Sequence, residues 1–471
     1  MLKSDNKLGF KMWFNMIIFG LMGQIAWNVE NMYFNTFLYN SVYNGASQAA
    51  VDGSIGVMNA ISIMVAASAA TAVITTFLIG AFSDKLGRRK IFICGGYCLW
   101  GIVTAAFGFI TKDETARLFG LSDEIAILST TVAIVIILDC VMTFMGSTSN
   151  DAAFNAWVTD VTTTKNRATA ESVLAILPIA ATGIVLALSG LIKNDSIGYS
   201  GFFKILGVVV TVCGIIGLFS LKDSGDGVRK EAPYLKELIY GFRPSVIKEN
   251  SRLYLALASV GVFSTSVQAF FPYIFIYISN GFPAAEPAAE GAEPAFTLSP
   301  LLIAAAAIAL IAVVALIIFM GKLIDKLGKE RFIMISIVLF IIGLVLASFA
   351  KSLISFAIFA LPALAGYGLL MIMLNAAVRD FTPPDKAGLF QGVRMIFFVL
   401  IPMCVGPAIG NIVCKYSSVP YINDYGVQQD APGSAMFLAA AVIAVFILIP
   451  ILKLKKKGFR VDTPAEASEV K

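Results

Sequence analysis

Four side-chain amides stand at Gln24, Asn28, Asn31 and Asn35, spaced four, three and four residues apart. On a helix turning about 100° per residue they fall within a stripe about 60° wide. An amide both donates and accepts hydrogen bonds, so such a stripe suits a ligand rich in hydroxyl groups. Glu30 lies about 100–120° off the stripe on a neighbouring face. Two further acids, Asp139 and Asp151, stand in or beside long apolar stretches. A carboxyl in such surroundings is a candidate to carry a proton or hold a cation.

The chain around them has 471 residues, 58% hydrophobic and 14% charged, with a mean hydropathy of +0.83. A soluble domain carries about 25% charged residues, so a water-soluble enzyme is excluded. There is no His, which removes imidazole relays and His-ligated metals. Cys94, Cys98, Cys140, Cys213, Cys404 and Cys414 lack zinc-type spacing and read as small packed apolar residues. Neither a nucleophile–base pairing nor a G-x-x-x-x-G-K-[ST] phosphate loop is present. No enzymatic activity, cofactor or metal is therefore expected, and ATP is not the direct energy source.

Apolar runs long enough to cross a bilayer as helices lie near 12–39, 55–82, 91–110, 125–148, 172–192, 202–221, 253–279, 300–320, 332–350, 353–377, 388–413 and 434–452. The first is too long and too polar to be a cleaved signal peptide. With both termini cytoplasmic, 28 of the 35 Lys and Arg fall on the inside and 5 outside, as the positive-inside rule requires. The net charge of +5 thus reports topology, and no nucleic-acid partner is expected. The domains read as a six-helix bundle over 1–221, a cytoplasmic linker over 222–252, a second bundle over 253–453 and a cytoplasmic tail over 454–471. Within the linker, Tyr234–Phe242 has the pattern of a short interfacial helix. The outside segment Gly281–Ser299 reads as a flexible acidic loop.

The two halves repeat. Gly80-Ala-Phe-Ser-Asp84-Lys-Leu-Gly87-Arg88-Arg89-Lys90 follows the second span, and Gly321-Lys-Leu-Ile-Asp325-Lys-Leu-Gly328-Lys329-Glu330-Arg331 follows the eighth, 241 residues later. Each has an acid at a helix end, a turn glycine and cations held on the cytoplasmic side. The chain resembles the major facilitator superfamily, whose signature G-x-x-x-D-R-x-G-R-R lies between the second and third helices; Lys85 replaces the first Arg here. The resemblance implies an all-α membrane protein of twelve transmembrane helices in two six-helix bundles. It also implies gating roles for Gly80, Asp84, Gly87, Arg88 and Arg89, echoed at Asp325 and Gly328.

A narrower resemblance lies at the end of the fourth span. Asn150-Asp151-Ala-Ala-Phe-Asn155-Ala-Trp157-Val-Thr-Asp160 is similar to the D-I-P-x-x-S-L-x-P-x-x-T segment of glycoside–pentoside–hexuronide:cation symporters. Phe390-Gln391-Gly392-Val393-Arg394 fits the wider group that includes sucrose-type carriers. The match implies that Asp151 takes the place of a cation-site acid. Those symporters carry further acids on the second span, whereas residues 54–83 here hold none. A proton is therefore expected in preference to sodium.

The repeat also extends the ligand site. Displacing the amide face by 240 residues reaches Ser264, Gln268, Phe271 and Phe275, and pairs Tyr33 with Tyr273. Amides on one bundle, with Gln268 and the aromatics Phe271 and Tyr273 on the other, suit the hydroxyl edges and C–H faces of a sugar. The bland alternative is that these amides join helices to one another. Asp151, Glu30 and Asp139 are the candidate coupling acids, and Lys204 and Arg394 are the cations that lie within spans.

The expectation is a monomeric, multi-pass carrier of the cytoplasmic membrane. It imports a glycoside or oligosaccharide with a coupling cation by alternating access. An exporter of drugs or amphipathic lipids on the same fold, and a non-transporting membrane sensor, stand as alternatives.

Overall fold

In hydrocarbon a backbone amide has no water to bond, so long apolar runs close their hydrogen bonds within helices. The computed structural model describes residues 8–86, 88–162, 167–188, 192, 197–222, 240–282, 329–383, 387–422 and 428–458, and these are mostly helical. Eight helices among them are long and apolar enough to cross a membrane. The chain divides into two compact units, Met1–Pro233 and Tyr234–Lys471.

In the first unit, α1 (Phe10–Val29) continues without a break through two wide π turns, Glu30–Phe34 and Leu38–Val42. Then come α2 (Gln48–Gly53), α3 (Val57–Leu86), α4 (Arg89–Phe107), α5 (Lys112–Phe119) and α6 (Glu124–Gly146). A π segment, Ser147–Phe154, joins α6 to α7 (Asn155–Val161), followed by α8 (Arg167–Leu188) and α9 (Gly198–Ser220). The polar residues Ser147–Asn155 do not interrupt the fourth span. One continuous rod runs from Glu124 to Val161, because the π turns keep the backbone paired while making room for buried polar side chains.

Small residues bring the rods of this unit close. A Cβ on Gly101 of α4 would collide with the carbonyl oxygen of Gly207 on α9, and one on Gly207 would collide with that of Gly101. Without a hydrophobic drive between helices in lipid, such backbone approach is a main source of packing energy. The second half of the first rod is held by rings. Phe34 stacks on Phe107 with centroids 4.0 Å apart, and Phe203 meets both Phe34 and Phe37 edge-on. On the outside, Ile74, Leu78, Ile102, Ile137 and Val208 are each more than half exposed, a surface suited to lipid.

The second unit contains α10 (Pro244–Glu249), α11 (Ser251–Gln268), α12 (Ile274–Asn280), α13 (Lys329–Ser348) and α14 (Leu353–Phe381). It goes on through α15 (Ala387–Met395), a π turn at Ile396–Leu400, α16 (Ile401–Tyr416), α17 (Ala435–Val445) and α18 (Leu448–Lys457). Between α16 and α17, β1 (Val419–Ile422) and β2 (Gln428–Ala431) form an antiparallel hairpin with Val419 opposite Ala431. Neither this hairpin nor α10 was legible as an element. Of the expected interfacial helix at Tyr234–Phe242, only a single 3-10 turn at Tyr240–Phe242 is described. The expected span 300–320 and residues 283–299 lie outside the described residues.

Candidate functional site

The first unit gathers its acids around the point where α1 widens. Glu30 opens the first π turn and is 7% exposed. Ser68 of α3 donates to Glu30 Oε1 at 2.8 Å, and Thr143 of α6 donates to the same oxygen at 3.0 Å. The two hydroxyls stand 2.7 Å from one another. Two hydroxyl protons can serve only two edges of this triangle, so with both given to Glu30 Oε1 the Ser68–Thr143 edge carries none.

Asp139 lies one turn before Thr143 on α6 and is 2% exposed. It stands near Ser68 and within electrostatic reach of Glu30. Among the described residues, neither Glu30 Oε2 nor Asp139 Oδ1 has a hydrogen-bond partner, and no Lys or Arg pairs with either acid. Lys204 instead places its ammonium 4.1 Å from the centroid of the Phe109 ring, and Arg394 lies over Phe398 in the second unit.

One turn further, Ser147 donates to Asp151 Oδ2 at 3.1 Å, and Asp151 is within electrostatic reach of Glu30. The fourth rod therefore carries an acid, two hydroxyls and an acid at Asp139, Thr143, Ser147 and Asp151, every fourth residue. Sequence reasoning marked the two acids and missed the hydroxyls between them. The i, i+4 spacing was the available signal, since it sets all four on one helical face.

The amide stripe is more tightly held than expected. Asn28, Asn31 and Asn35 each donate to the carbonyl four residues earlier, at 2.8, 2.7 and 3.1 Å. Asn28 Oδ1 also accepts from Thr182 of α8 at 3.2 Å. Gln24, Asn28 and Asn31 remain half-buried, but Asn35 is only 2% exposed. It follows the π turn Glu30–Phe34, which changes the angular step along the rod.

In the second unit, Ser264, Gln268 and Phe271 are half-buried. Tyr273 is fully buried, and its hydroxyl donates to the Pro407 carbonyl at 2.9 Å. The bond ties Tyr273 to α16 in this structure.

A second polar chain was not anticipated. Asn150 Nδ2 donates to the Tyr97 hydroxyl at 2.8 Å, and Tyr97 donates to the Phe19 carbonyl at 2.5 Å. It ties α1, α4 and the π segment together where Gly23 leaves no space for a Cβ beside Asn150 and Tyr97.

Of the gating residues, Gly80 and Asp84 lie on α3, and Arg88 is exposed just before α4. Arg89 Nε pairs with Asp160 Oδ2 on α7 at 3.2 Å, and its Nη1 donates to Ser83 Oγ at 2.6 Å. The signature arginine thus links the end of the second rod to the end of the fourth. Gly87, Asp325, Gly328 and the side chain of Asp84 lie outside the described residues.

Known families match this arrangement. The model of the Major Facilitator Superfamily matches residues 12–309 and 287–470. The chain belongs to the Major Facilitator Superfamily. Among solved structures, a bacterial homologue of the human lysosomal transporter Spinster aligns with a TM-score of 0.65 at 13% identity, covering 97% of this chain and 100% of that one. The nucleoside transporter NupG aligns at 0.60 and 12% identity, over 95% and 100%. The xylose transporter XylE from E. coli aligns at 0.59 and 12% identity, over 93% and 98%. By sequence, 117 residues are 32% identical to Multidrug resistance protein 3 of Bacillus subtilis (strain 168), covering 24% of this chain and 23% of that protein. The superfamily fold has twelve helices, and this member of it is a multi-pass membrane transporter of small molecules, with no enzymatic activity.

Proposed function

We propose that this transporter is a proton-coupled carrier of a hydroxyl-rich solute, a glycoside or an oligosaccharide, working by alternating access with both termini cytoplasmic. The observation that carries the proposal is the buried cluster of Glu30, Asp139, Ser68 and Thr143. Two ionised carboxyls in one buried pocket without a cation would each bear a desolvation cost on the order of several kcal/mol. One proton bound by the pair removes one of the two charges and its repulsion of the other.

The lack of any acid over residues 54–83 supports a proton over a sodium site built from several carboxylates. The half-buried amides Gln24, Asn28 and Asn31, with Ser264, Gln268 and Phe271 of the second unit, are the proposed solute contacts. Asp151, on the segment similar to glycoside–pentoside–hexuronide:cation symporters, is the proposed second proton-carrying acid. The carrier is proposed to act as a monomer in the cytoplasmic membrane.

The test is uptake of mono-, di- and oligosaccharides into proteoliposomes under a pH gradient or, separately, a sodium gradient. Accumulation driven by the pH gradient and abolished in Glu30→Gln is the expected result. Accumulation driven by sodium alone would overturn the proton assignment, and no saturable sugar flux would overturn the solute. A second reading, export of drugs or amphipathic lipids, is favoured by the segment similar to Multidrug resistance protein 3. It predicts drug efflux from inverted vesicles and no sugar uptake.

A further inference from the structure

One end of the second unit holds a cavity of about 420 Å³ between the start of α11 and the end of α18. Ile247 of α10 with Tyr254 and Leu255 of α11 form an apolar wall, and Lys453, Lys456 and Lys457 of α18 face them. Lys457 donates to Ser251 Oγ at 2.7 Å, which joins the first turn of one helix to the last turn of the other. Among the described residues no acid lines the cavity. α11 begins without a side-chain cap on its first amides, so its positive dipole end adds to the three ammonium groups.

Lysines at the end of a transmembrane helix commonly serve only to fix topology. Three features mark these as more. They converge on one concave space, one of them is bonded to a neutral hydroxyl, and the opposing wall is apolar. The face of α18 that carries Lys453 and Lys456 continues toward the membrane through Ile449 and Leu452, 53% and 47% exposed. A ligand that satisfies both parts has an anionic head and a hydrocarbon tail. A soluble phosphate would meet the lysines but leave the apolar wall unused.

We infer that this cavity is a binding site for an anionic phospholipid of the bilayer. The headgroup phosphate sits on Lys453, Lys456 and Lys457, and an acyl chain runs down past Leu452 and Ile449. The site is independent of the solute carried. An occupant clamps α10 and the start of α11 against α18, the last helix of the unit.

The experiment is native mass spectrometry of the delipidated full-length protein, titrated with phosphatidylglycerol or with phosphatidylcholine. Three proteins are compared: the parent, a variant with Lys453→Gln, Lys456→Gln and Lys457→Gln, and a control with Lys11→Gln, Lys351→Gln and Lys415→Gln. The parent is expected to retain one phosphatidylglycerol in preference to phosphatidylcholine. The site variant should weaken that retention by about tenfold or more, and the control should match the parent. The single substitution Lys456→Glu, checked for a monodisperse elution profile, gives the same reading if the triple variant does not fold. Equal loss in the control, or equal retention of both lipids, overturns the site. Displacement of phosphatidylglycerol by excess inorganic phosphate overturns the lipid as its occupant.

Discussion

Thr143 donates a hydrogen bond to Glu30 across 3.0 Å, although 113 positions separate them in the chain. The contact fastens the wide turn of the first rod to the middle of the fourth, and Ser68 of α3 completes it from a third helix. An amide at position 30 preserves the shape and most of the bonding but has no proton to release. Glu30→Gln should therefore lose accumulation against a concentration gradient while retaining solute exchange across the membrane, measured as counterflow in the same vesicles.

Removing Ser68 or Thr143 has a different effect, because each supplies one bond and leaves the carboxyl in place. Ser68→Ala and Thr143→Val should each lower stability by about 1 kcal/mol. Together they should cost measurably more or less than the sum of the two, since they share an acceptor. Thermal unfolding in one fixed detergent, run as a double-mutant cycle, checks this.

Tyr97 is the centre of a chain in which it accepts from Asn150 and donates to Phe19. Tyr97→Phe leaves the buried Asn150 amide without its acceptor and takes a second donor from the Phe19 carbonyl, at a cost of about 1–3 kcal/mol. The unfolding midpoint should fall clearly. Asn150→Ala, which strands only the tyrosine, should be the milder change.

Gly23 offers a steric test of the same junction. A methyl there runs into Asn150 and Tyr97, whereas one at Gly183 on α8 meets nothing within 4 Å. Gly23→Ala should destabilise by about 1–3 kcal/mol through overpacking, and Gly183→Ala should leave the midpoint close to that of the parent.

The pair of Arg89 and Asp160 links two rods at the signature loop. Asp160→Asn should alter turnover more than apparent affinity, because the pair touches no proposed solute contact. Exchanging the two, Arg89→Asp with Asp160→Arg, should restore part of the lost rate. An unchanged rate in Asp160→Asn would remove the pair from gating.

The helices were legible because hydropathy has the length scale of a bilayer, and the buried acids were legible because a carboxylate among apolar turns stands out. What escaped reading depends on turn geometry and on partners distant in sequence. A helical wheel with a constant step places Asn35 beside Asn28 and Asn31, but the π turn at Glu30–Phe34 changes the step and buries it. Tyr273 looked like a ligand contact by analogy with Tyr33, yet its partner is the Pro407 carbonyl, 134 residues away. Ser68 gave no local sign, since a lone serine in an apolar helix has many uses. Thr143 and Ser147 were more accessible, given their four-residue spacing from the two acids.

The wide turns have an implication for lineage comparison. In an ordinary membrane helix, loss or gain of one residue turns everything beyond it by about 100° and ruins the packing. A π turn already contains a surplus residue, so deletion there tightens the coil without opening a gap. Two of the π turns in this chain, Glu30–Phe34 and Ser147–Phe154, fall beside the acids and the amides. Single-residue length changes at these two places can re-aim the polar side chains while sparing the rest of each helix. Relatives that differ in cargo should accordingly differ in alignment length there before they differ in composition.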